Sequence, residues 1–77
     1  MMTPAAFEQS LKPLLQREPF QPFFIELEDG ERWVVGQKEA VMYQKGGTAV
    51  YFRLDGSFDF VDCQNVRRFI ELVAASA

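Results

Sequence analysis

Three glycine turn signals punctuate the middle of this chain: Asp29-Gly30, Gly46-Gly47 and Asp55-Gly56. Each stands between short runs rich in β-branched and aromatic residues. A two-residue hairpin of type I′ holds both central residues at positive φ, which Gly adopts freely and Asp or Asn tolerates. Three such signals at fairly even spacing predict an antiparallel meander of short strands. They exclude a parallel sheet, because no crossover helix fits between the runs.

The segment Pro19–Gly30, PFQPFFIELEDG, supplies the first strand. Phe23, Ile25 and Leu27 alternate with Phe24, Glu26 and Glu28. Period two predicts that the first set is buried while Glu26 and Glu28 face water. Asp29-Gly30 then turns the chain as a type I′ hairpin. Arg32–Val35 returns as a second strand, with Trp33 and Val35 pointing one way. Gly36–Glu39 reads as a polar connection, Ala40–Gln44 as a third strand, Thr48–Leu54 as a fourth and Ser57–Val61 as a fifth.

Both ends flank this meander. Thr3 is placed to cap a helix and Pro4 suits its first position. Phe7, Leu11, Leu14 and Leu15 share one face at helical spacing. Pro13 removes the bond to the Gln9 carbonyl, so the expected helix, about residues 4–17, is kinked or split near Lys12. Pro19 ends it. The C-terminal run has two readings. Asp62 caps a helix carrying Val66, Phe69, Ile70 and Val73 on one face, or Asp62–Asn65 makes a tight turn into a strand over Val66–Leu72. Periodicity favours the helix. Closing an otherwise open sheet edge favours the strand.

Taken together the pattern predicts a mainly β domain spanning residues 1–77. Its expected form is a small antiparallel β-barrel of about five to six short strands over residues 20–72, with an N-terminal helix and a short C-terminal tail. At 77 residues and 48% hydrophobic content, one packed core is expected. A domain of this size buries only ~60% of its unfolded surface. Disulfides cannot add to that, because Cys63 is the only cysteine, and the absence of histidine rules out a cysteine–histidine metal site. Self-association is the remaining common source of buried surface.

The net charge of −3 removes the general attraction to phosphate on which non-specific nucleic-acid binding depends. No apolar stretch approaches the about 20 residues of a membrane span, and no cleavable leader pattern is visible. With a lone cysteine, the expected compartment is the cytoplasm.

The arrangement L-L-x-x-x-P-F-x-P-F-x-I-x-L-x-D-G, from Leu14 to Gly30, resembles a family of small bacterial proteins of uncharacterised activity. Val61, Asp62, Val66, Arg68 and Phe69 match that family's ending, V-D-x-x-x-V-x-R-[IF]. Gln37-Lys38-Glu39 departs from it, standing where His-Pro-Glu is usual. A looser resemblance is to Sm-like barrels, through Ile25–Gly30 and the following Gly36. That resemblance implies an N-terminal helix, five bent strands and a helical turn before the last one. The aspartate and asparagine of the Sm base-binding loop are missing, and Cys63-Gln64 stands near the position of the basic–histidine pair of the bacterial RNA-chaperone branch.

Among chemically capable residues, Asp55, Asp59 and Asp62 surround the last turn, but their spacing fits no cation-binding loop, and turn roles explain them. Glu26, Glu28, Asp29 and Glu31 read as a solubilising acidic edge rather than a paired-carboxylate acid–base site. Cys63 has no histidine to activate it and reads as a small buried residue. Tyr43, Lys45, Tyr51, Arg53, Arg67 and Arg68 are the candidates for an RNA-stacking surface; packed tyrosines and solvated arginines are the plainer account. Phe24 and Val34 fall on the outward side of their strands. They are the candidate partner-binding residues, although a helix packed over that face would explain them equally. The expected function is therefore a non-enzymatic protein-interaction or self-associating module without metal or cofactor. Its expected partner is a second copy or another protein, and the alternative is an Sm-like RNA-binding protein.

Overall fold

The computed structural model describes residues 1–72. The expected C-terminal tail, and Val73 of the helical reading, lie outside them. The chain begins with helix α1 (Pro4–Gln16) and continues through strands β1 (Phe23–Leu27) and β2 (Arg32–Val35). A 3-10 turn (Lys38–Ala40) leads to β3 (Val41–Gln44), β4 (Thr48–Phe52) and β5 (Phe58–Asp62). A second 3-10 turn (Cys63–Asn65) leads to β6 (Val66–Glu71), so the run after Asn65 is the strand and not the helix over these residues.

The six strands form two three-stranded antiparallel sheets, ordered β2-β1-β6 and β3-β4-β5. The chain is thus not one continuous meander. It leaves the first sheet after β2, builds the second, and returns through the 3-10 turn to lay β6 along β1. No ladder joins the two sheets among the described residues.

Helix α1 starts as its residues dictate. The Thr3 hydroxyl accepts a hydrogen bond from the Ala6 amide at 3.1 Å, and Pro4 occupies the first turn. The expected break at Pro13 does not occur; the helix runs unbroken to Gln16. Pro13 and Gln9 both lie on the exposed side, so the carbonyl that Pro13 leaves unpaired faces water. Phe7, Leu11 and Leu14 are buried. The Phe7 ring meets Tyr43 of the second sheet at 6.1 Å and Phe69 of the first at 5.8 Å. Phe23, Ile25, Val35, Val41, Ala49, Tyr51, Val61, Cys63 and Val66 complete the core.

Two local expectations need correction. The first is the turn type. Gly30 has φ +93°, but Asp29 is not at positive φ, so the turn is not type I′. The Gly30 amide donates to the Leu27 carbonyl at 3.0 Å, and the Leu27 amide to the Glu31 carbonyl at 2.8 Å. This is a three-residue loop closed through a left-handed glycine. Arg53–Ser57 repeats it, with Gly56 at φ +94°. In both, the aspartate carboxylate accepts from the amide two residues on, which holds the loop without left-handed backbone at Asp.

The second is Glu26. Expected in water, it is 4% exposed. It does sit on the outer face, opposite Arg32 on one side and Arg68 on the other. Both guanidinium groups fold over its carboxylate, at 3.0 and 2.7 Å. A register shift beside Glu26 leaves Arg67 without a partner on β1, so Arg67 and Arg68 both face solvent. Ile25 is buried as expected, while Leu27 is only partly so.

Candidate interaction face

The second sheet positions the site. Along β4, Ala49 and Tyr51 point into the core, so Val50 and Phe52 point away from it. Pairing places Met42 and Phe60 beside Val50, and Phe58 beside Phe52. The outer face of this sheet is therefore apolar although no described residue covers it. Met42 is 53%, Phe52 38%, Phe58 55% and Phe60 66% exposed. The rings contact one another, Phe52 with Phe58 at 6.1 Å and Phe58 with Phe60 edge-on at 6.0 Å. At about 150–250 Å² per aromatic side chain, the three phenylalanines leave roughly 300 Å² of ring surface in water. An apolar patch of that size falls within the range of the largest patch on a monomer, and such patches are often functional.

The hairpin after β4 lifts Leu54 clear of the protein, 98% exposed. Beside it lies a groove of about 640 Å³, lined by the apolar Val34, Phe52 and Leu54 and by the charged Glu39, Arg53 and Asp55 among others. The groove connects the two sheets, because Val34 belongs to β2 and Phe52 to β4.

Of the residues singled out in the sequence, Phe24 and Val34 are direct cross-strand neighbours on the outer face of the first sheet, where Ile70 extends the row across β6. Helix α1 packs on the opposite side of that sheet, against Phe69, and leaves this row uncovered. Phe24 is half-buried, and Val34 is exposed and opens into the groove.

The RNA candidates do not converge. Tyr43 lies under the helix, donating its hydroxyl to Glu8 at 2.9 Å, with the Lys12 ammonium over its ring. Burial, and then Glu8, push the Tyr43 phenol above its ordinary value. Tyr51 is buried and donates to the Val34 carbonyl at 2.6 Å. Arg53 is the one cation brought to Tyr51, but it lies over the Trp33 and Tyr51 rings and pairs with Asp59 at 2.5 Å. Arg67 donates to the Glu28 carbonyl, Arg68 is committed to Glu26, and Lys45 stands apart in an exposed turn.

Cys63 and the three aspartates of the last turn are not brought together in one cluster. Cys63 is buried, and its thiol is pushed up first by burial and then by the Asp62 charge, the reverse of what a nucleophile needs. Asp55, Asp59 and Asp62 are spent separately, on Ser57, on Arg53 and on the Gln64 amide. Phe58 and Phe60 were not singled out in the sequence. Their period-two spacing puts them on one face, but Val61 makes the other face apolar too, and only packing decides which is the core. No protein-family model matches the chain, and neither a curated protein nor a solved structure matches it.

Proposed function

We propose that this chain is a non-enzymatic protein-interaction module that works by burying the outer face of its second sheet against another protein. The observation that carries this reading is the uncovered row of Met42, Phe52, Phe58 and Phe60. The chain order supports an Sm-like small barrel as its architecture: a helix first, a 3-10 turn before the last strand, and that strand returned to β1. A cytoplasmic setting fits the lone buried thiol, and no helix among the described residues is long and apolar enough to cross a membrane.

The RNA alternative is weaker on charge. All five arginines pair with carboxylates: Arg17 with Glu71, Arg32 and Arg68 with Glu26, Arg53 with Asp59, and Arg67 with Glu28. Each would have to leave its partner to neutralise a phosphate. The test changes Phe58 and Phe60 to serine together. The double variant is expected to keep its fold and lose association with protein, itself included. Labelled single-stranded RNA near physiological salt should bind neither protein. Micromolar RNA binding lost in Arg67→Ala/Arg68→Ala would put the RNA reading first; wild-type protein that associates with no protein would end the interaction reading.

A further inference from the structure

We infer that the occupant of this face is a second copy of the same chain, stacked sheet against sheet about a two-fold axis, with each copy's Leu54 seated in the other's groove. The inference rests on the interaction reading above and names its partner.

Area is the first argument. Adding Met42 and Leu54 to the three phenylalanines raises the exposed apolar surface to roughly 600 Å² per copy. Two such faces together bury roughly 1,200 Å², which reaches the lower end of stable, specific interfaces. The patch is therefore large enough for a dimer with no further element.

Charge is the second argument. The copies carry −3 each and repel at a distance. Met42, Val50, Phe52, Phe58 and Phe60 put no charge on the face itself, and Asp62 lies at its end, in the row of Thr48. Two copies of the sheet face meet without opposed like charges, and in the groove Arg53 stands among Glu39 and Asp55 to meet the Asp55 that follows the incoming Leu54. A strongly basic or acidic partner would find no charge on the sheet face to pair with.

Shape is the third argument. Leu54 projects from a loop held by Asp55, whose carboxylate accepts from both the amide and the hydroxyl of Ser57. An apolar knob thus lies beside a groove whose apolar floor, Val34, Ala40 and Phe52, is flanked by Glu39, Arg53 and Asp55. In a two-fold contact, residue i meets j and j meets i, so the knobs and grooves of two copies are filled together.

Sedimentation over about 1–100 µM, the range in which interfaces of this size begin to associate, tests the inference. Wild-type protein should sediment at twice the chain mass. Leu54→Asp should weaken dimerisation by on the order of tenfold or more, because it replaces the seated apolar side chain with a charge that must be desolvated. Val34→Asp lies on the other sheet but in the same groove and should do the same; a dimer indifferent to it would refute the seating of Leu54 there. Circular dichroism should show both variants folded, since both positions face water. A dimer that survives Leu54→Asp and Phe60→Ser uses another surface and overturns the inference. Monomeric wild type that holds a different protein, released by Phe60→Ser, removes the second copy but leaves the interaction reading standing. Monomeric wild type that holds no protein removes both.

Discussion

Gly47 has no room for a side chain. A Cβ there would lie 2.7 Å from the Cys63 sulfur and 3.0 Å from the Pro4 Cα, and its φ is +81°. Its carbonyl also accepts the Cys63 amide at 2.7 Å, which ties the β3–β4 turn to the approach to β6. Gly46, one residue earlier at φ +82°, has open space around it. The pair separates two costs. Gly46→Ala should destabilise by about 1–2 kcal/mol, from left-handed backbone alone. Gly47→Ala should cost about 2–4 kcal/mol, because overpacking is added. Urea midpoints of the two variants check this, and equal midpoints would mean that the close approach to Cys63 is absent. The turn was legible from Gly-Gly. The difference between the two glycines was not, because it depends on residues far away in sequence.

At the scale of the sheet, the outer face of β2-β1-β6 carries a charged row, Arg32–Glu26–Arg68, beside an apolar row, Val34–Phe24–Ile70. The hydrogen bond from Arg68, helped by that from Arg32, holds the Glu26 carboxyl below its ordinary value of 4.5 against the opposing effect of burial. The folded chain therefore releases this proton more readily than the unfolded chain. The resulting stabilisation is complete above about pH 4.5 and disappears as pH falls through the lower folded value. Glu26→Gln should lower the urea midpoint at pH 7, and its curve should converge on the wild type toward pH 3. A gap that stayed constant with pH would assign the effect to packing and not to charge. Glu8 and Asp55 are also held low, so the wild type alone does not isolate Glu26.

Across the whole molecule, α1 holds the two sheets to one core, and Phe7 is where it touches both. Phe7 is fully buried, and Phe7→Ala should cost about 3–5 kcal/mol. That is most of the stability of a domain this small. Because Phe7 contacts both sheets, the loss should be shared. Trp33, packed on Tyr51 of the second sheet at 5.0 Å, reports the contact between the sheets, and far-ultraviolet circular dichroism reports the whole. Both should shift to the same lower melting temperature. A Trp33 transition that stayed in place would mean that the two sheets hold together without the Phe7 contact.

What was legible without coordinates is what neighbouring residues decide among themselves. Thr3-Pro4 starts a helix, Asp-Gly and Gly-Gly turn the chain, and Phe23 and Ile25 alternate into a core, all through steric and hydrogen-bonding preferences within a few residues. The rest was decided at longer range. Pro13 is tolerated because its side of the helix faces water. Glu26 is buried because Arg68, far along the chain, pairs beside it. Val66–Glu71 is a strand because β1 offered an open edge, which outweighed a helical spacing of apolar residues. The candidate face follows the same logic. Phe58-Asp59-Phe60-Val61 carries apolar residues on both sides of its strand, so alternation cannot say which side is the core. Packing of the second sheet under α1 took Val61 inward and left Phe58 and Phe60 in water.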